Sequence, residues 1–321
     1  MSSKFQACLL LLLIASFQVS ANDLSALMDR AKSADADAQY QLGIRYLQGN
    51  GVEQNDSQAA SWVQKAAEQG HAPAQHAIGT MYYVGAGVEQ DDRAAGKWIR
   101  LAAEQGYADA QYELGLMFYE GHTFRKDYKK ALKWYRPAAE QGLAAAQHAL
   151  GVMYLKGIGL KQDDKEAARW IQLAAEQGEV EAQNNMGRLY TWGKGVRASD
   201  TEAARWYQLA AEQGNALAQY NLGLFFLEGK GVKQDYREAA KWHALAAEQG
   251  IAEAQDYMGV FYANGWGVEQ DFVRALTYLN IASSSGYEAA SKHRDQVSKL
   301  MDPGQISEAD KLAADWLATH Q

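Results

Sequence analysis

A glycine stands at Gly43, Gly79, Gly115, Gly151, Gly187, Gly223 and Gly259, seven times at a spacing of 36 residues with no insertion or deletion between copies. A single globular core has no reason to keep such a register. An array of stacked, similar units does, because each unit buries its apolar faces only against its neighbours. The residue before each glycine is apolar (Leu42, Ile78, Leu114, Leu150, Met186, Leu222, Met258), and three residues after it comes an aromatic ring (Tyr46, Tyr82, Phe118, Tyr154, Tyr190, Phe226, Tyr262). Positions i, i+1 and i+4 share one helical face, so this block predicts a first helix, A, in every copy. A second block carries Trp62, Trp98, Trp134, Trp170, Trp206 and Trp242, with Tyr278 in the seventh copy, and an alanine pair such as Ala66-Ala67 follows at i+4. That spacing predicts a second helix, B.

Four repeat positions hold 27 of the 29 glycines, and the one lapse is Thr123. Gly49-Asn50-Gly51 and its counterparts end helix A, with Asp91-Asp92 or Ser57 expected to cap helix B, and the glycine of each Glu-Gln-Gly triplet ends helix B. A glycine inside a helix costs about 1 kcal/mol against alanine, so those within helix A need compensation. Close helix approach is the expected form of it, with Trp62 brought against Gly43 and the alanine pair approaching from the other side. Residues 22–33 read as an N-terminal capping helix, because Leu24 to Lys32 resembles a helix B without its tryptophan, and residues 34–286 hold the seven repeats. Residues 287–321 read as C-terminal capping helices. Asp302-Pro303-Gly304-Gln305 opens the last of them as a capping box, and Ile306, Leu312, Ala313, Trp316 and Leu317 give it one apolar face.

The segments Ala-Gln-x-x-Leu-Gly-x-x-Tyr, Gly-x-Gly-Val, Ala-Ala-x-Trp and Ala-Ala-Glu-Gln-Gly resemble the Sel1-like repeat family, relatives of the tetratricopeptide repeats, over Ala34 to Gly286. The resemblance implies an all-α fold, an α-solenoid wound as a right-handed superhelix from seven 36-residue helix-turn-helix repeats. It also implies a role. Bacterial proteins similar to this one are mostly exported or membrane-tethered adaptors, among them periplasmic signalling regulators, exopolysaccharide assembly factors and host-interaction proteins. A cysteine-rich branch of the family is associated with β-lactam binding or hydrolysis and ties each hairpin with a disulfide. This chain departs from that branch, since its one cysteine, Cys8, lies in the leader.

The leader is residues 1–21, where Lys4 precedes the apolar run Leu9 to Phe17 and Val19-Ser20-Ala21 offers small residues at the cleavage-determining positions. The run is too short for a membrane anchor and no later stretch reaches the roughly 20 apolar residues of a spanning helix. The mature chain is therefore expected in the periplasm, or secreted, with no integral membrane segment. Cleavage removes Lys4 from 31 basic residues against 39 acidic ones, leaving a net charge of −9, which disfavours nucleic acid as a partner.

Chemistry-bearing motifs are missing. The chain has no His-Glu-x-x-His, Gly-x-Ser-x-Gly, phosphate loop or Gly-x-Gly-x-x-Gly. Gly85-Ala86-Gly87 joins two helices and recurs in each copy, so it reads as a turn, and Glu89, Asp91 and Asp92 lack calcium-ligand spacing. His76 and His148 occupy one repeat position two copies apart, on the order of 20 Å, too far to share a metal. The expectation is no enzyme, no cofactor, no metal and a monomer.

Helix A offers a surface instead. Residues one, five and eight places after the repeat's Gln align on a face distinct from the Leu-Gly-Tyr seam, and by analogy with tetratricopeptide arrays this face lines the concave side. Its first positions are Tyr40, His76, Tyr112, His148, Asn184, Tyr220 and Asp256. Leu224 and Arg188 stand on the second row, Arg188 as an anchor for a carboxylate. Such a row suits a protein or peptide partner docked as an amphipathic helix or extended strand. The alternative is burial of the row between adjacent A helices. Trp192 and Trp266, outside the structural Trp column, are candidate loop contacts.

Overall fold

A computed structural model describes residues 21–320, and residues 1–20 of the leader lie outside the described residues. The chain divides into two compact units, Met1–Gln162 and Asp163–Gln321. In the first, the capping helix α1 (Ala21–Lys32) precedes three hairpins: α2 (Ala36–Gln48) with α3 (Asp56–Glu68), α4 (Ala72–Val84) with α5 (Asp92–Glu104), and α6 (Ala108–Glu120) with α7 (Tyr128–Glu140). Helix A of the fourth repeat, α8 (Ala144–Lys156), ends this unit, and its helix B, α9 (Asp164–Glu176), begins the second. There follow α10 (Val180–Trp192) with α11 (Asp200–Glu212), α12 (Ala216–Glu228) with α13 (Tyr236–Glu248), and α14 (Ala252–Asn264) with α15 (Phe272–Ser284). The unit closes with α16 (Glu288–Val297), a short 3-10 turn and α17 (Pro303–Thr319). Among the described residues there is no strand, and the fold class is all-α, a repeat solenoid.

Each helix B starts at a polar side chain that accepts a backbone N–H of the first turn: Asn55, Asp91, Asp127, Asp163, Ser199, Asp235 and Asp271. Asn55 takes this role in the first repeat, where Ser57 was expected, because the cap must lie outside the helix and Ser57 is already within it. The cap's own N–H reaches back to helix A, as from Asn55 to the Tyr46 carbonyl at 2.9 Å and from Asp91 to that of Tyr82 at 3.0 Å. At the C-terminal end the capping box of Asp302 and Gln305 forms as the sequence predicts.

The partner of the helix-A glycine is not the tryptophan. A Cβ on Gly43 would meet Val63 at 2.5 Å, and one on Gly115 would meet the Tyr135 ring at 2.6 Å. The residue following the Trp column fills this seat in four further repeats, with Ile99 on Gly79, Tyr207 on Gly187, His243 on Gly223 and Leu279 on Gly259. One residue is about 100° of helical turn, and that rotation swings Trp62 to a half-buried flank and Val63 to the axis of contact.

The second loop glycine serves contact between successive repeats. A Cβ on Gly87 would overlap the Asp56 carbonyl of the preceding helix B, and Gly195, Gly231 and Gly267 abut Asp164, Asp200 and Tyr236 in the same way. Where the third repeat has Thr123 instead, the missing space is supplied from the other side. The preceding helix carries Gly96 where Ala60, Ala168, Ala204 and Ala240 stand elsewhere, and a Cβ there would meet Phe124 at 2.8 Å and Thr123 at 2.9 Å.

A glutamine ladder ties the repeats together. The Gln of each Ala-Gln donates to the last alanine of the preceding helix B, from Gln39 to Ala31 at 3.0 Å through Gln255 to Ala247 at 3.1 Å. Its side-chain carbonyl accepts from the Gln of Glu-Gln-Gly in its own repeat: Gln69 to Gln39, Gln105 to Gln75, Gln141 to Gln111, Gln213 to Gln183 and Gln249 to Gln219, at 2.7 to 2.8 Å. The seventh repeat has Ser285 in the donor's place, and Gln255 Oε1 is buried without a partner. A buried acceptor left unmade costs about 1 kcal/mol or more. Ser285→Gln is therefore expected to raise stability by about 1 kcal/mol, read as a higher urea midpoint, and an equal gain from Ser285→Ala would refute the ladder as its cause.

Candidate partner-binding face

The A-helix row is neither wholly open nor wholly buried. In the first unit Tyr40, Tyr112 and His148 are half-buried while His76, Thr80 and Leu116 are buried, and in the second Tyr220 and Leu224 are half-buried, Asn184 and Asp256 are buried and Arg188 is exposed. Bulky side chains set this division. Tyr40 leans on His71 with ring centroids 5.1 Å apart, and Tyr112 on Tyr135 at 5.6 Å, both tilted, so each ring is held in place while staying half-buried.

His76 turns inward. Its Nε2 lies 3.0 Å from a Glu113 carboxylate oxygen, which is also 3.5 Å from the Thr80 hydroxyl. Burial disfavours the charged imidazole, but the charge and hydrogen bond of Glu113, with Asp109 behind, outweigh it and hold His76 above the ordinary imidazole value. His71 behaves oppositely. Its Nδ1 accepts the Ala74 N–H at 3.2 Å, and burial lowers its pKa against the pull of Asp37.

In the second unit Asp256 pairs with His293 of α16 at 2.7 Å, which ties the C-terminal cap to the row. Tyr220, His243, Tyr257 and Phe261 form an aromatic cluster, and burial, helped by Tyr257 and Glu253, pushes Tyr220 up to about 12. Trp192 is 55% exposed, with the Arg188 guanidinium over its ring at 4.7 Å and Lys194 at 5.7 Å, a cationic and aromatic spot at the end of α10. Trp266 packs on Tyr236 and Phe261 and is 43% exposed.

Sequence reading passed over Glu113, Asp109 and Tyr107. Glu113 had one signal, as the sole carboxylate in a column otherwise filled by Gln41, Ala77, Ala149, Asn185, Asn221 and Tyr257. Among the described residues no group of three or more His, Cys, Asp or Glu side chains could hold a metal, and no helix is long and apolar enough to cross a membrane.

The Sel1 repeat profile matches seven times, over residues 36–71, 72–107, 108–143, 144–179, 180–215, 216–251 and 252–287. A Sel1 repeat protein from Oxalobacter formigenes is 34% identical, with a TM-score of 0.68 over 92% of this chain and 87% of that one. The c5321 protein, described as a protective antigen present in uropathogenic Escherichia coli strains and displaying an SLR fold, is 28% identical, with a TM-score of 0.54 over the same shares of 92% and 87%. No curated protein matches the sequence. Seven consecutive matches cover most of the chain, and with the fold and its glycine seats they lead to one conclusion: this chain belongs to the Sel1 repeat family.

Proposed function

We propose that this chain is an exported scaffold that works in the periplasm, holding a partner protein or peptide on its A-helix row in envelope assembly, signalling or exopolysaccharide regulation. Sel1 repeats mediate protein–protein interaction and the family is generally non-enzymatic. In this reading the chain is not an enzyme and takes no cofactor. The observation that carries it is the row itself, where tyrosine and aliphatic side chains from successive repeats stay half-buried instead of sealing against one another. Aromatic rings held in place in this way make binding anchors at low entropic cost.

Crosslinking from periplasm with the mature protein is expected to recover one dominant partner. Tyr112→Ala and Tyr220→Ala should each weaken it about ten-fold or more with circular dichroism unchanged, and full retention by both would move the site off this row. Mass spectrometry of the exported protein is expected to find a start after Ala21, whereas a protein retaining Lys4 would contradict export by cleavage. The similarity to the c5321 protein, described as a protective antigen, favours a second reading in which the same scaffold meets a host outside the cell. Fractionation of periplasm against medium separates the two.

A further inference from the structure

The row differs along its length in charge. Across the first three repeats none of its nine positions (Tyr40, Ile44, Leu47, then the equivalents in the next two copies) is lysine or arginine, whereas Arg188 stands on it in the fifth. Carboxylates crowd the tyrosines on the row and Tyr107 beside it, at the start of α6. Tyr40 feels Asp109 and Asp37, Tyr107 feels Asp109 and Glu113, and Tyr83 feels Asp92, Glu120 and Glu113, in each case adding to a rise that burial begins.

Among the described residues Asp109, Glu113 and Glu120 pair with no lysine or arginine. Glu113 has the buried His76 at 3.0 Å and Glu120 has the exposed His122 at 3.6 Å. Two of the carboxylate oxygens, Glu113 Oε1 and Glu120 Oε2, are buried and accept no hydrogen bond, and Glu113 as a whole is 1% exposed. A carboxylate buried without its full set of donors is expensive. An added cation from outside would offset that cost.

We propose that the A-helix row of repeats 1 to 3 docks a partner segment bearing arginine or lysine, its cation seated among Tyr40, Tyr83 and Tyr107 in the field of Asp109, Glu113 and Glu120. The tyrosine faces supply cation–π contact, the carboxylates supply attraction, and the mature net charge of −9 steers the same class of segment toward the protein. This inference rests on the scaffold reading above and narrows it to a basic partner.

A random peptide library selected on the mature protein tests it without a known partner. Enriched peptides are expected to carry spaced arginine or lysine. In fluorescence anisotropy Asp109→Asn/Glu113→Gln should weaken the best of them about ten-fold, and Glu202→Gln/Glu238→Gln, on outward helix-B positions, under about two-fold. Should Glu113→Gln disturb folding, Asp109→Asn/Glu120→Gln provides the same readout. Basic peptides weakened equally by both sets would mean attraction to net charge alone and would overturn the proposal. Uncharged or acidic peptides that respond to Tyr107→Ala would overturn it too, while leaving the scaffold reading intact. Peptides indifferent to every substitution on the row would overturn both.

Discussion

Gly195→Ala is expected to destabilise the protein by about 3 kcal/mol, where Gly178→Ala, two residues past the end of α9, costs only about 1 kcal/mol. Both glycines sit at positive φ, +71° and +90°, so both substitutions incur the left-handed penalty of about 1–2 kcal/mol. They differ in what surrounds the new methyl group. At Gly178 nothing lies within 4 Å, while at Gly195 the Cβ would overlap the Asp164 carbonyl and come within 3.0 Å of Ala168 Cβ. A backbone oxygen in the first turn of α9 cannot rotate aside, so the loop must lift away from the preceding helix, an overpacking cost of roughly 1–3 kcal/mol. Restriction of the unfolded chain offsets some of this in both variants alike. Urea unfolding of the two variants beside the wild type checks the difference. In a repeat array the damage should be greatest near the altered contact, so amide exchange in α9 and α10 ought to quicken more than in α14. Equal losses from the two substitutions would mean that strain at φ, and not contact between repeats, governs the position.

The contrast explains which parts of the molecule could be read from the sequence. Spacing is preserved wherever backbone meets backbone, so the glycines announced the repeat, both loops and the helix ends. Side-chain contacts inside each hairpin leave a fainter trace. Val63, Ile99, Tyr135, Tyr207, His243 and Leu279 all fill the seat on a helix-A glycine, yet no one residue type is common to them, because the seat accepts any side chain of suitable volume. The constant Trp column drew attention instead, although Trp62, Trp98 and Trp134 are only half-buried. The glutamine ladder was written in plain sight as two glutamines 30 residues apart, the first constant and the second lapsing only at Ser285. The spacing alone does not show that one of them also reaches the preceding repeat, as Gln75 does to the Ala67 carbonyl. The face of helix A was legible from angular spacing, but its depth was not. Whether His76 faces outward depends on Glu113, a single departure in one column of one copy.

The same logic makes His243 the most consequential irregularity in the second unit. It occupies the glycine seat, is fully buried, and its Nδ1 lies 2.9 Å from the Ala239 carbonyl, which can only accept, so Nδ1 carries the proton. Nε2 is then an acceptor, and it is buried without a partner. Burial pushes the imidazole down to about 4, opposed only in part by the Ala239 carbonyl. In the unfolded chain the group returns to about 6.5, so below that pH the unfolded state binds the extra proton. Its contribution is fully present above pH 6.5 and is lost as pH falls toward 4, a loss of about 2 kcal/mol already at pH 5. His243→Leu, which installs the side chain found in the equivalent seat at Leu279, removes the titration and the orphaned nitrogen together. The variant is expected to match or exceed the wild type at pH 7 and to exceed it by a further ~2 kcal/mol at pH 5. Urea unfolding at both values measures it, and comparison at each pH cancels the carboxylates that the two proteins share. An identical pH dependence in the two proteins would show that His243 is not held neutral. His76, held above its ordinary value by Glu113, has the opposite sign: its stabilisation is present below about pH 6.5 and is lost as pH rises through its folded value. Acidification should therefore lower amide protection, measured against the intrinsic exchange rate at each pH, in α12 to α14 ahead of α4 to α6, and His243→Leu should abolish that lead.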